Sequence, residues 1–88
     1  MKTILFYWSK GSDTRRRIIR IIADCEKTSE ACYLSVIAEK LKLSHVAVKK
    51  HLDLLLDEGY VSVLNPDGKP NFLNLTHKGR EMLKEFSA

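Results

Sequence analysis

The sequence predicts a small, mainly α-helical domain with one antiparallel β hairpin, and three observations support it. Two helical patterns meet at a short turn within residues 35–59, SVIAEKLKLSHVAVKKHLDLLLDEG. Residues 60–75 contain β-type residues on both sides of the segment NPDGK at 65–69, which is strong turn chemistry. Further helical patterns occupy residues 14–27 and 77–86. We therefore expect one α+β domain without internal repeats or linkers.

Length and charge limit the functions that the chain can have. Its 88 residues suffice for one small hydrophobic core with little apolar area to spare. The formal net charge of +4 favours an anionic partner, although 11 acidic residues mean that the basic groups must cluster to matter. No apolar run approaches the ~18 residues needed to cross a bilayer, and ILFYW is short for a signal peptide. We expect a soluble, cytoplasmic protein with no membrane partner.

The first residues, MKTILFYWSKG, form a dense apolar and aromatic run with β-type composition. Two interpretations remain open. The run is either an extra strand or short helix that covers one side of the core, or an arm that packs against a second subunit. We accordingly divide the chain into an N-terminal apolar arm at residues 1–11, a candidate dimer contact, and a single domain at residues 12–88.

The first helix is expected to begin with a cap at Ser12 or Asp13 and to run to about Lys27. Its inner side carries Ile18, Ile19, Ile21, Ile22 and Cys25. A loop follows, and residues 31–34 leave room for a very short strand that could pair with the later hairpin. The outer arginines of this helix form either a solvated face or a set of phosphate contacts.

Residues 35–59 contain the clearest start and stop signals of the chain. A short helix opens at Leu34 or Ser35 and breaks at Lys42-Leu43. Ser44 then serves as an N-cap, because its hydroxyl can accept hydrogen bonds from backbone amides two and three residues later. The second helix runs to Glu58, and Gly59 closes it in the left-handed conformation. The pattern predicts a helix-turn-helix.

The second of these helices has two different sides. At 100° per residue, Val48, Leu52 and Leu55 share one stripe that faces the core. The opposite side begins with Ser44, His45, Val46, Lys49 and Lys50. Its acidic residues come only from Asp53 onward, and this gradient suits a helix whose N-terminal half enters a DNA major groove. His51 borders the core, so we expect a structural role with a phosphate contact as an addition.

Residues 60–64 and 70–75 predict two strands, joined by a turn with a polar, basic tip. Thr76 can cap the last helix, which runs from His77 to about Phe86. Ten residues are marginal as an isolated helix, so this helix must pack on the rest of the domain or on a second copy.

The order helix, short strand, helix, helix, strand, strand, helix resembles a winged helix-turn-helix domain. The segment LSVIAEKLKLSHVAVKKHLDLLLDEGYVSV is similar to the helix-turn-helix and first wing strand of the MarR and ArsR families of prokaryotic transcription regulators. The segment NFLNLTHKGREML resembles their second wing strand and following helix. The resemblance implies a homodimeric transcription regulator that binds double-stranded DNA sequence-specifically, with helix 44–58 in the major groove and the wing, 65–69, on the backbone or minor groove.

The expected DNA contacts come from three parts of the chain. The start of the second helix would meet base edges and phosphates, the wing would contribute through its polar tip, and the first helix would add phosphate contacts. The candidate DNA-binding residues are Ser44, His45, Val46, Lys49, Lys50, Lys69, Asn65, Asn71, Arg16 and Arg17.

A winged-helix protein-protein interaction module in a larger assembly is the alternative function, supported by the small size and the apolar arm. An enzyme is not expected, because no nucleophile with a base, carboxylate pair or phosphate loop is present. Residues 36–39 lack the paired-cysteine motif that metal-sensing ArsR proteins carry there, and the remaining Cys and His spacing does not suit a metal. We expect no cofactor, and no small-molecule ligand is identifiable. Cys25 and Cys32 are either reduced thiols or a local disulfide.

Overall fold

The computed structural model describes residues 2–87, so that Met1 and Ala88, the outer ends of the predicted arm and domain, lie outside the described residues. The helices are α1 (Ser12–Lys27), α2 (Leu34–Leu41), α3 (His45–Asp57) and α4 (His77–Ser87). A two-stranded antiparallel sheet consists of β1 (Val61–Val63) and β2 (Leu73–Leu75), and a 3-10 turn at Lys2–Leu5 precedes α1. The predicted α+β class, mainly helical with one small hairpin, is confirmed.

The start of α1 differs from the prediction. Neither Ser12 nor Asp13 caps this helix; both lie inside its first turn, and the N-cap is Gly11 with φ of 87° and no side-chain hydrogen bond. The chain reverses there through a bond from the Ser12 amide to the Ser9 carbonyl, 3.1 Å long. A left-handed residue is needed for that reversal, and glycine adopts this conformation without a steric penalty.

One hydrophobic core joins all the elements. Ile18, Ile19 and Ile22 of α1 are fully buried and form its centre. The other fully or almost fully buried large side chains are Phe6, Ile37, Val48, Leu55, Tyr60 and Leu75. Burial of these side chains at about 1.5–3 kcal/mol each is the main force that holds the helices on the hairpin.

The N-terminal segment contributes one fully buried side chain, Phe6, to this core, and Leu5 packs against it half-buried. The Phe6 ring lies 4.9 Å from the Tyr60 ring in an edge-to-face arrangement and 5.6 Å from the Phe86 ring, between centroids. By contrast, Ile4, Tyr7 and Trp8 remain exposed. The segment therefore has one side on the core and another open to a partner, and the division at residues 11 and 12 stays a prediction.

The short strand predicted at residues 31–34 is not formed, and this is a correction to the predicted element order. β2 pairs with β1 on one edge, with Val61 opposite Leu75 and Val63 opposite Leu73. On the other edge, the Leu73 amide donates to the Cys32 carbonyl (2.8 Å), but the Leu75 amide donates to the Glu26 carboxylate (2.8 Å). Because the Glu26 side chain already accepts the hydrogen bond from the Leu75 amide, a third strand could not pair regularly with this edge of β2.

The predicted cap of the last helix is confirmed. The Thr76 hydroxyl accepts a hydrogen bond from the Gly79 amide (3.0 Å) at the start of α4 and donates to the Gly59 carbonyl (2.6 Å).

None of the helices in the part of the chain from residue 2 to residue 87 combines the length and the apolar character needed to span a bilayer.

Candidate nucleic-acid interface

The turn between α2 and α3 is built by local sequence signals. Lys42 adopts the left-handed conformation with φ of 58°, and the Leu43 amide donates to the Ala38 carbonyl (3.1 Å), which ends α2. The Ser44 hydroxyl accepts from the Ala47 amide (3.1 Å) and so caps α3. Gly59, with φ of 79°, follows the end of α3. The predicted helix-turn-helix is confirmed in all these points.

The two sides of α3 also agree with the prediction. Val48, Leu52 and Leu55 are buried against the rest of the domain. The exposed side begins at its N-terminal end, and the side chain of Val46 is 67% exposed there. We define the basic face of α3 as His45, Val46, Lys49 and Lys50, all of which are exposed. It presents donors, a methyl-bearing side chain and two ammonium groups along two helical turns, which suits base edges and phosphates.

Lys49 has an internal partner on this face. Its ammonium lies 3.1 Å from the Asp53 carboxylate one turn later. Both side chains are more than half exposed, and such a pair on a helix surface contributes only about 0.3–0.5 kcal/mol. A phosphate can therefore replace Asp53 at little energetic expense.

The wing is a turn held together by two asparagine side chains. The Asn65 side chain accepts from the Phe72 amide (2.6 Å) and donates to the Pro70 carbonyl (3.1 Å). The Asn71 side chain donates to the carbonyls of Gly68 (2.9 Å) and Asn65 (3.2 Å). Both residues thus support the turn, while Lys69 is exposed at its tip.

A groove of about 280 Å³ separates the wing from α3. Ser35 at the start of α2, Lys49 and Asp53 of α3, and Asn71 of the wing all line it. Three separate elements therefore present polar groups to one groove. Of the predicted site residues, Lys49 of α3 and Asn71 of the wing meet there, whereas His45, Val46, Lys50, Asn65 and Lys69 do not line it.

Arg16 and Arg17 occupy a different place. Both pair with Asp13, at 3.3 Å for Arg16 and 3.1 Å for Arg17. Arg16 also donates to the Phe6 carbonyl and lies over the Tyr7 ring, 5.6 Å from its centroid. Within residues 2–87, the polar partners of both arginines come from residues 6–13, and neither is brought onto the basic face of α3.

Sequence reasoning missed Arg15. Its side chain is only 3% exposed and its guanidinium lies beside His51 of α3, with 3.1 Å between Nη1 and Nδ1. A signal was present in the sequence, because Arg15 stands three and four residues before Ile18 and Ile19 and so belongs to the inner side of α1. Arg15 was not recognised as an inward-facing residue because it stands next to two further arginines, Arg16 and Arg17, at the helix start.

The two cysteines are buried free thiols in this structure. Burial, with a smaller contribution from a hydrogen bond to Cys25, raises the pKa of the Cys32 thiol to about 12. A thiol with so high a pKa is a poor nucleophile and metal ligand at neutral pH. Among the described residues, no group of three or more His, Cys, Asp or Glu side chains is placed to hold a metal ion.

The helix-turn-helix, the exposed basic face of α3 and the hairpin beside it define a winged-helix protein of the DNA-binding class. The family model described as "Bacterial regulatory protein, arsR family" matches residues 12–63, which is more than half of the chain. The chain belongs to this family. Members of this family are DNA-binding regulators and not enzymes, and the predicted resemblance to the ArsR family is confirmed.

Similar solved structures agree with the fold. A cysteine-to-serine mutant of ZitR from Lactococcus lactis superposes with a TM-score of 0.69 at 28% identity, over 86% of this chain and 50% of that chain. AF1382 from Archaeoglobus fulgidus gives a TM-score of 0.77 at 17% identity, over 99% of this chain and 90% of that chain. The adhesin competence repressor AdcR from Streptococcus pyogenes gives 0.70 at 18% identity, over 98% and 63%.

This chain spans about half the length of the ZitR structure that it matches. The likeness to AF1382 and AdcR, at lower identity, concerns the fold alone. A comparison with curated protein sequences gave no match.

Proposed function

We propose that the protein binds double-stranded DNA sequence-specifically as a homodimeric transcription regulator, with α3 in the major groove and the wing on the backbone or the minor groove. The observation that carries the proposal is the distribution of charge on α3. The basic face occupies the first two turns, and the first acidic side chain on that side is Asp53. A phosphate backbone favours this order, because it attracts the lysines without meeting a carboxylate near the helix start.

Different residues take different roles in this proposal. His45 and Val46 stand at the N-terminal end of α3, where side chains reach base edges, and the Val46 methyl groups suit a thymine methyl. Lys49, Lys50 and Lys69 serve as phosphate contacts. Ser44, Asn65 and Asn71 already make hydrogen bonds within the helix cap and the wing turn, so their contribution to binding is chiefly to hold the contacting parts in place.

The proposed dimer contact is the exposed side of the N-terminal segment. Trp8 is 79% exposed, and Ile4 and Tyr7 beside it are also exposed although all three are large and apolar. Apolar groups collected on one short segment are typical of an interface between subunits. Arg16 contacts this segment at the Phe6 carbonyl and the Tyr7 ring, and Arg17 pairs with Asp13, which supports a role beside the dimer contact for Arg16.

The proposal is tested by selecting bound sequences from random duplex DNA and measuring affinity for the selected duplex across salt concentrations. Replacing both Lys49 and Lys50 by Glu should abolish most of the binding. Removal of two phosphate contacts should also reduce the slope of log affinity against log salt by about 1.8. The matched control changes Lys27 and Lys84 to Glu, which alters the net charge equally at exposed positions of α1 and α4.

A similar loss in the control variant would mean that net charge, and not the basic face, determines binding. If no duplex is bound even at low salt, the proposal fails and the interaction module becomes the better account. The dimer is tested separately by the mass of the protein in solution. Trp8→Glu should yield a monomer, whereas Leu64→Glu, at another apolar residue that is 65% exposed, should leave the mass of the dimer unchanged.

A further inference from the structure

Arg15 is the one charged side chain that is buried among residues 4–86. A guanidinium removed from water requires partners for its five N–H groups, since an unpaired buried charge is strongly unfavourable. No carboxylate is among its hydrogen-bond partners within the described residues. The burial of Arg15 therefore depends on neutral acceptors, and these acceptors show what the side chain connects.

Three of the acceptors belong to the N-terminal segment. The Nε group donates to the Leu5 carbonyl (2.6 Å), and Nη2 donates to the Ser9 hydroxyl (2.6 Å) and to the Lys10 carbonyl (3.2 Å). Ser9 in turn donates to the Ile4 carbonyl (2.6 Å). Residues 4–10 thus fold around the guanidinium, and their backbone conformation depends on it.

The fourth acceptor belongs to α3. Nη1 of Arg15 faces Nδ1 of His51 at 3.1 Å. The turn at Gly11 closes over the same ring, because a Cβ atom at Gly11 would lie 2.5 Å from Cε1 of His51. The N-terminal segment therefore touches α3 through both a backbone turn and the Arg15 side chain.

We propose that Arg15 and His51 form a positioning link through which residues 4–11 fix the orientation of α3, so that the N-terminal segment affects DNA affinity without touching DNA. The inference rests on the proposed function, in which α3 is the helix that enters the major groove. His51 directly follows Lys50 and lies two residues after Lys49. A small rotation of α3 about this point moves the whole basic face relative to the wing.

The hydrogen-bond chemistry of the link is consistent with a neutral histidine. Because Nη1 is a donor, Nδ1 of His51 must accept and the ring proton must reside on Nε2. Partial burial and the adjacent Arg15 charge lower the pKa of His51, which keeps the ring neutral at physiological pH. The link is therefore formed under the conditions in which DNA is bound.

A double-mutant cycle on DNA affinity tests the proposal. Ser9→Ala removes an Arg15 acceptor in the N-terminal segment, and His51→Leu removes the acceptor on α3. Each change should weaken binding by about threefold or more, and the double variant should be no weaker than the worse single variant, since both act through one side chain. His51→Gln should restore affinity, because its amide oxygen can accept from Nη1. Measurements are made where circular dichroism shows each variant folded.

Salt dependence separates positioning from direct contact. If His51 instead contacts a phosphate as a charged imidazolium, His51→Leu reduces the salt slope by about 0.9; on our proposal the slope is unchanged. His45→Leu is the matched control, because His45 is an exposed histidine on the same helix and its effect should add independently to that of Ser9→Ala. If His51→Leu does not fold, Arg15→Lys replaces it, since one ammonium cannot hold all four contacts.

Three results would overturn the inference: unchanged affinity in Ser9→Ala and His51→Leu, additive losses in the double variant, or a reduced salt slope. If, in that case, the wild-type protein still binds its selected duplex and the Lys49 and Lys50 double variant does not, only this inference fails and the proposed function stands. If the wild-type protein binds no duplex, the proposed function itself fails.

Discussion

Phe6→Ala measures how far the N-terminal segment belongs to the folding unit. The Phe6 side chain is fully buried between Tyr60 and Phe86, and truncation of a buried Phe typically destabilises a protein by about 3–5 kcal/mol. A chain of 88 residues has a total stability of about 4–13 kcal/mol, at ~0.05–0.15 kcal/mol per residue. We therefore expect the loss of at least about a fifth of the free energy of unfolding. The melting temperature should fall by at least about 12 °C, at ~4 °C or more per kcal/mol.

The assay is urea unfolding followed by far-UV circular dichroism at one fixed protein concentration, because dimerisation would make stability depend on concentration. The control variant is Leu64→Ala, at a large apolar residue that is 65% exposed and lies outside the proposed dimer contact. An exposed residue such as Leu64 should change the stability by no more than about 0.5 kcal/mol. If Phe6→Ala has an equally small effect, residues 1–11 are an arm outside the folding unit and the reasoning from burial is refuted.

Three further changes test polar groups of the core. Tyr60→Phe removes a buried hydroxyl that has no hydrogen-bond partner among the described residues, so urea unfolding should show unchanged or higher stability; a loss above about 1 kcal/mol would imply a missed partner. Glu26→Ala leaves the outward Leu75 amide without its acceptor and should reduce the free energy of unfolding by about 1–3 kcal/mol; an unchanged value would contradict its role at the sheet edge. Stability should also fall as the pH decreases below the ordinary histidine value of 6.5, because burial and Arg15 lower the pKa of His51 and the unfolded state therefore binds the proton first. His51→Gln should remove that part of the pH dependence in urea titrations, and an identical dependence in this variant would show that another group is responsible.

The parts of the fold that sequence reasoning predicted correctly are those with local causes. Ser44 caps α3 through its own hydroxyl, and Gly59 provides the left-handed residue that follows this helix. The NPDGK segment forms the wing turn because its side-chain preferences act within a few residues. The stripe of Val48, Leu52 and Leu55 follows from helical periodicity alone. The general position of the basic face could therefore be predicted before any tertiary contact was known.

The features that sequence reasoning missed depend on contacts between distant segments. The strand expected at residues 31–34 is absent because Glu26, from α1, takes the amide of Leu75 that a strand would use. Arg15 is buried because residues 5–10 return to enclose it and His51 faces it from α3. The residues next to Glu26 and Arg15 in the sequence do not determine which distant groups these two side chains bind. Helical periodicity could therefore place Arg15 on the inner side of α1, but it could not identify its hydrogen-bond acceptors.

In the wing, the residues that hold the turn in shape differ from the residue that is exposed at its tip. Asn65 and Asn71 hold the turn through bonds to the backbone, whereas Lys69 at the tip is exposed. On the proposed function, in which the wing contacts DNA, substitutions at position 69 would change what the wing contacts while the loop keeps its shape. Substitutions at positions 65 and 71 would instead remove hydrogen bonds that hold the loop and would alter the positions of all its contacting groups. The proposed function therefore makes the tip, position 69, the place at which a redesigned variant could vary its DNA preference by a single substitution.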